Sequence, residues 1–261
     1  MGIVVGILGL IFSLGAVAGF YVDTLVRDLV RGQLSGADRL EVRVEAVPNY
    51  KLVSGEIDRL RLAGRGLAIR PEFRIARLDL ETDAIAVDLG STSGPPRLRR
   101  PLQAAVHIEL IEDDLNQALN APDILKNLQG IRTELPGGVG GAGREEVLDF
   151  TEPRIFLKDS EVILQSVVRV RGREETLLVA FRTDLVVDAG TRLRFIKPAF
   201  TLNDVPVPPE IANVFLAGLN DIVDLEQLAP QGIIARVLNF KVEPGKLDVV
   251  VFARIERIPG T

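Results

Sequence analysis

The sequence predicts an α+β protein that is mainly β, with long, strongly bent antiparallel strands behind an N-terminal transmembrane or signal helix. Three observations predict this fold. Residues 2–22 carry no charged side chain. From Arg39 onward, apolar and polar residues alternate with a period of two over long stretches. The phase of that alternation reverses at several points, which is typical of strands that contain a bulge or a sharp bend.

The uncharged run at residues 2–22 is long enough to cross a bilayer core of about 30 Å as a helix. No Lys or Arg precedes it, so the basic region of a signal peptide is missing, although residues 16–18 (AVA) offer a small-residue cleavage pattern. An uncleaved anchor, a cleaved signal and a buried helix all stay open. We expect residues 1–22 to be an anchor or signal segment and residues 23–261 to form the folded domain.

A helical pattern continues over residues 23–34, and Gly36 is a plausible end to it. Its apolar side chains fall on one stripe: Leu25, Val26, Leu29, Val30 and Leu34. This helix either packs on the domain that follows or leads to it from the bilayer as an amphipathic segment.

Long alternating runs then predict the strands. The run over residues 57–69 reverses phase across Gly64-Arg65-Gly66, and the next one reverses between Ile75 and Leu78. Clean alternation follows over the ranges 102–110, 162–170, 177–187 and 247–255. Strands of roughly ten residues exceed the usual five or six, which favours a strongly twisted antiparallel sheet.

Two short helices interrupt the strands. Glu112-Asp113-Asp114 places carboxylates at the start of the first helix, which Pro122 must break or restart. Residues 208–210 (PPE) begin the second, with apolar residues at helical spacing behind them. The glycine-rich stretch at residues 136–143 is the best internal hinge and divides the domain into two possible sub-blocks.

Composition excludes several classes of function. A net charge of −5 gives no source for binding to nucleic-acid phosphates, and the absence of cysteine excludes disulfides and thiolate metal sites. The single imidazole, His107, falls beside Glu109 on the polar side of a strand, where the pair could do acid–base work in a hydrolase. An exposed strand side chain is the simpler account. We therefore predict no catalytic residue, no metal site and no cofactor.

A basic cluster lies in a predicted loop. It comprises Arg97, Arg99 and Arg100, beside Pro95-Pro96. Each Arg could contribute about 1 kcal/mol near an anionic lipid surface. A solvated loop is the alternative interpretation.

Five motifs, in order along the chain, resemble the LmeA-type phospholipid-binding proteins. They are YKLVSGEIDRLRLAGRGL (50–67), RLDLET (77–82), IEDDLNQAL (111–119), FIKPAF (195–200) and VPVPPE (205–210). The resemblance spans roughly residues 23–257 and looks closest to the cyanobacterial branch, formerly known only as a domain of unknown function. The glycine-rich stretch at residues 136–143 has no counterpart that we can place in the family.

The resemblance implies a fold like the tubular lipid-binding domains, in which a strongly curved antiparallel sheet wraps a long helix around an apolar groove. It also implies an extracytoplasmic, periplasmic setting with phospholipid and membrane as partners, and it carries over no catalytic residue. The predicted function is a non-enzymatic, membrane-tethered phospholipid-binding protein of the cell envelope that transfers or presents lipid. A structural or scaffolding envelope protein with a filled core is the alternative; protein partners are unknown.

Helix and strand phase predict which side chains would line such a groove. These residues are Leu25, Leu29, Leu60, Leu62, Val106, Ile108, Val214 and Phe215.

Overall fold

The computed structural model describes residues 22–52, 54–88, 97–134, 145–173, 175–207 and 224–257. Its helices are α1 (Val22–Gly32), α2 (Glu112–Leu119) and α3 (Pro122–Asn127), and 3₁₀ turns cover Asn49–Leu52 and Leu225–Gln231. The strands are β1 (Gly36–Glu45), β2 (Glu56–Ile57), β3 (Arg59–Arg70), β4 (Phe73–Thr82), β5 (Ile85–Asp88), β6 (Arg97–Leu98), β7 (Leu102–Ile111), β8 (Ile131–Glu134), β9 (Glu145–Leu157), β10 (Glu161–Val170), β11 (Thr176–Asp188), β12 (Arg192–Leu202), β13 (Val205–Pro206), β14 (Ile233–Glu243) and β15 (Lys246–Ile255).

Two six-stranded sheets contain most of these strands. The first has the order β1-β3-β4-β7-β15-β14, and the second has the order β13-β12-β11-β10-β9-β8. Every pairing within them is antiparallel, and neither sheet closes on itself. A small third sheet, β2-β5-β6, adjoins the first. The predicted mainly β, antiparallel architecture is confirmed, with the strands divided between sheets.

Helix α1 packs along the edge strand β1. Val26 and Val30, four residues apart and therefore on one side of the helix, are each 2% exposed and join a core that includes Leu40 and Leu60. At the first turn, the Asp23 carboxylate accepts a hydrogen bond from the backbone N–H of Val44 at 2.7 Å. The side of α1 that carries Val26 and Val30 thus covers the β1 end of the first sheet.

The phase reversal predicted in β3 is confirmed at Gly66, which has a φ of +57°. This left-handed backbone favours glycine, and a side chain there would also displace the Asp38 carboxylate. Beyond it, Leu67 turns back over Gly64 and is 1% exposed, so its isobutyl group lies where Gly64 has no side chain. The reversal in β4 is also confirmed, because Ile75 is buried although it is out of phase with Leu78.

Helix α2 links the two sheets, and it begins at the acidic residues as predicted. The Asn116 amide bonds both backbone groups of Ile155 in β9, at 2.9 Å to the carbonyl and 2.8 Å from the N–H. The Glu112 carboxylate accepts the N–H of Leu157 at 2.7 Å. Pro122 restarts the chain as α3, which also agrees with the sequence. The side chains of α2 therefore satisfy strand groups of the second sheet.

Some predictions concern parts of the chain outside the described residues. These are the uncharged run up to residue 21, the hinge at residues 136–143 and the helix that begins at residue 208. Within the described ranges, every helix is too short or too polar to cross a bilayer. The assignment of domains stays a prediction.

Candidate functional site

One face of the first sheet is aliphatic. Strand register places Val42, Leu62, Leu80, Val106, Val251 and Val237 in a row that crosses all six strands. A neighbouring row contains Leu78, Ile108, Val249 and Phe240. These two rows form the aliphatic face. Because alternate residues of a strand point to opposite sides, the residues between them form a separate, charged face.

Burial divides the aliphatic face into two parts. Near α1, Leu62 is 3% exposed and belongs to a filled core. Towards β7 and β15 the side chains are only half-buried, as at Leu80, Val106, Val249 and Val251. The centre of the sheet therefore presents a strip of branched aliphatic side chains that the described residues leave partly accessible.

This strip continues into the second sheet. At the junction, Val242 and Leu247 of the β14-β15 hairpin pack with Leu157 and Val162 of the β9-β10 hairpin. Further along the second sheet lie Leu164 and the tilted ring pair of Phe181 and Phe200, whose centroids are 4.6 Å apart. The apolar faces of the two sheets thus meet at this junction.

A cleft of about 940 Å³ lies between α1 and the first sheet. Its helical side is formed by Asp23, Thr24 and Arg27. Its strand side is formed by Leu40, Val42, Leu62, Leu80 and Val106, together with residues next to them along the strands (Glu41, Arg43, Arg61, Ala63, Asp79, Glu81, Ala105 and His107) and with Val250, which pairs with His107. Such a volume is typical of small-molecule sites.

Cross-strand ion pairs cover the charged face. Asp79 receives hydrogen bonds from Arg65 at 2.7 Å and from Arg77 at 2.6 Å. Burial alone would raise the pKa of Asp79, but the bonds from Arg65 and Arg77 outweigh it and hold that pKa below its usual value. Asp79 is therefore ionised at neutral pH and neutralises the cations beside it.

The single histidine belongs to this network. His107 Nε2 lies 2.8 Å from Asp248 Oδ2 and 3.9 Å from Glu109 Oε1. The hydrogen bond with His107 is the main reason that the pKa of Asp248 is lowered. One ligand atom from each of these residues falls within 4.8 Å of the others, a spacing that could hold a cation. However, the Arg77 guanidinium already lies 3.4 Å from Glu109, which would repel a cation, so an ion-pair network is the better account.

Six of the eight predicted groove residues lie on described backbone. Val106 and Ile108 are half-buried on the aliphatic face, and Leu29 is half-buried on α1. Leu60 and Leu62 share the aliphatic phase but lie in the filled core beside α1. The side chain of Leu25 and the whole of Val214 and Phe215 lie outside the described part. A role in ligand binding stays a prediction for all eight.

Several residues of the same surface were not predicted from the sequence. Leu80, Val249 and Val251 lie directly beside Val106 and Ile108, on the neighbouring strands. The alternation of residues 73–81 and 247–255 contained the signal, but strand pairing was needed to place these runs side by side.

The family comparison matches nearly the whole chain. A family model described as LmeA-like phospholipid-binding covers residues 15–252. No curated protein and no solved structure gives a significant match. The matched range includes all three described helices and every strand except the last three residues of β15.

Proposed function

This chain belongs to the LmeA-like phospholipid-binding family, and we propose that it holds phospholipid acyl chains against the aliphatic face while tethered to a membrane of the cell envelope. It would act without catalysis and would transfer or present its lipid on the extracytoplasmic side. The observation that carries this proposal is the partly accessible strip of Leu80, Val106, Val249 and Val251, continued by the apolar face of the second sheet.

An acyl chain suits this surface for a simple physical reason. Each methylene that leaves water contributes about 0.8 kcal/mol, and the contact needs no directional partner. A long chain therefore gains most from an elongated surface of branched aliphatic side chains. The apolar side chains of the two sheets extend in that way, because Leu157 and Val162 pack against Val242 and Leu247 where the sheets meet.

Membrane tethering rests on the uncharged run at residues 2–22. The first charged residue, Asp23, is fixed to β1 by its bond to Val44, so a tether would hold the domain at a short distance from the bilayer. The predicted wrapping of a curved sheet around a long helix is part of this proposal. Among the described residues, the helix beside the first sheet is α1, with 11 residues.

Lipid analysis of the full-length protein tests the proposal. The chain would be purified from membranes in mild detergent, washed extensively, extracted and analysed by mass spectrometry for phospholipid. A membrane protein of similar size, taken through the same steps, controls for carried-over bulk lipid. We expect a selective and stoichiometric phospholipid. A lipid profile equal to that of the control, with no transfer between donor and acceptor vesicles, would refute it.

One observation favours a second function, a scaffolding protein with a filled core. Leu60, Leu67 and Leu102 belong to the core cluster that Val26 and Val30 join, and each is 1% exposed, so this cluster is packed by the protein's own side chains. This alternative predicts that no lipid copurifies and that polar substitutions on the half-buried strip leave vesicle binding unchanged.

A further inference from the structure

The uncharged N-terminal run joins the domain at a defined place. Asp23 lies in the first turn of α1, and its carboxylate accepts the N–H of Val44 at 2.7 Å. Residue 22 is therefore held beside the last residues of β1. A membrane anchor formed by this run would therefore join the domain at that end of the first sheet.

The same end carries an exposed apolar pair. Val47 follows Val44 by three residues and is 75% exposed, and Tyr50 is 73% exposed. They are the two most exposed large apolar side chains among the described residues. Tyrosine is enriched where a protein meets the membrane interface, because its ring is apolar and its hydroxyl can stay hydrated.

Hydrogen bonds fix this pair to the folded domain. Asp58 accepts the N–H of Val47 at 2.7 Å and the Lys51 ammonium at 2.6 Å. The apolar pair thus stands on an ordered turn, and its exposure results from the position of that turn.

The basic cluster of Arg97, Arg99 and Arg100 lies beside this turn. Arg99 donates to the carbonyl of Ser54 at 2.7 Å and pairs with Glu56 at 3.1 Å, and Ser54 in turn bonds the carbonyl of Lys51. Arg100 is close enough to Asp58 to interact with its charge. Arg97, Arg99 and Arg100 are all exposed. The apolar pair is therefore flanked by guanidinium groups, which attract anionic head groups.

We infer that this end of the domain, comprising Val47, Tyr50, Arg99 and Arg100 and called the docking tip, rests on the surface of an anionic phospholipid bilayer. Val47 and Tyr50 enter the head-group layer, while the arginines bind lipid phosphates. The inference rests on the proposed function, because the tether brings the tip to the bilayer. It adds that the domain is held in one orientation by its own surface as well as by the tether.

The orientation has a consequence for lipid entry. Leu52, Ile57 and Leu98, which come from the elements around the tip, belong to the same apolar cluster as Leu78, Leu80 and Ile108 of the aliphatic face. Apolar side chains therefore extend from the docked end towards the proposed acyl-chain surface.

Site-specific fluorescence tests the docking tip, and the absence of native cysteine makes labelling clean. Full-length Val47→Cys and Leu238→Cys chains would carry an environment-sensitive dye. Leu238 is a matched control, since it is 63% exposed but lies on β14, the opposite edge of the first sheet. The chains are reconstituted in vesicles of phosphatidylcholine and phosphatidylglycerol in equal parts, with spin-labelled lipid as quencher. We expect quenching at position 47 and little at position 238.

Removal of the arginine charges is the second test of the docking tip. Arg99→Gln with Arg100→Gln should weaken association of the tip with anionic vesicles, by about fivefold per arginine at low salt. It should have little effect with pure phosphatidylcholine. Equal quenching at positions 47 and 238, or none at position 47 in vesicle-bound protein, would overturn the docking tip. If such protein still carries phospholipid, the proposed function survives that failure. Protein that neither associates with vesicles nor carries lipid contradicts both.

Discussion

Two adjacent valines of β15 distinguish the two faces of the first sheet. Val251 lies in the aliphatic row between Val106 and Val237, whereas Val250 lies opposite His107 on the charged face. Both are half-buried, so they are comparable in exposure and in backbone context. We predict that Val251→Asn weakens phospholipid binding strongly and that Val250→Asn does not.

The expected magnitude follows from what each amide would contact. At position 251 the amide would lie under an acyl chain among aliphatic neighbours, where a polar group without a partner costs about 1 to 3 kcal/mol. That cost corresponds to a rise in Kd of about 5- to 150-fold. At position 250 the amide would face the polar groups around His107 and could hydrogen-bond there, so the Kd should stay nearly unchanged.

Displacement of a fluorescent phospholipid from the full-length protein measures these Kd values. Urea unfolding of both variants shows whether either substitution also lowers the free energy of unfolding. Equal loss of affinity in the two variants, or loss only in Val250→Asn, would refute the assignment of the acyl chain to the aliphatic face.

Three further predictions concern the fold that supports this face. Leu67→Ala should lower the free energy of unfolding by about 2 to 5 kcal/mol in urea titrations, because it leaves a cavity beside Gly64. Leu238 is exposed, so Leu238→Ala should change the same quantity by under about 0.5 kcal/mol. Asn116→Ala should lower the free energy of unfolding by about 2 kcal/mol, since the N–H and the carbonyl of Ile155 both lose their partner. Gln117→Ala removes one long bond at the surface and should change it little. Equal losses in the two variants would contradict the role of Asn116 in linking the sheets. Because the pKa of Asp79 is lowered in the folded protein, its ion pairs stabilise the fold fully above the unfolded pKa of 3.8, and this stabilisation is lost as the pH falls through the folded pKa. The free energy of unfolding that Asp79→Asn removes should therefore be constant near neutrality and shrink below about pH 4. A loss that grows on acidification would have the wrong sign.

Local features of the fold were predictable because they depend on neighbours in the sequence. The phase reversal at Gly66 appears as a change in alternation, and the chain does turn there with a positive φ. The start of α2 and the break at Pro122 follow from helix-terminus chemistry in the same way. Strand phase alone also placed Leu60 and Val106 on the same face.

Features that depend on distant partners could not be predicted. Leu60 is 1% exposed and Val106 only half-buried because α1 covers one end of the sheet, which alternation does not reveal. Likewise, Asn116 looked like an ordinary helix residue, yet its amide bonds the backbone of Ile155, 39 residues later. The division into two sheets follows from such long-range pairing and not from any local pattern.

Photo-crosslinking tests most directly whether the aliphatic face holds acyl chains. Full-length protein is loaded with a phospholipid that carries a diazirine in its acyl chain, irradiated and mapped by peptide mass spectrometry. We predict crosslinks concentrated at the half-buried strip of Leu80, Val106, Val249 and Val251 and at Ile108 beside Val249. Crosslinks at the charged-face neighbours Asp79, His107 and Val250, or spread evenly over both faces, would contradict the assignment.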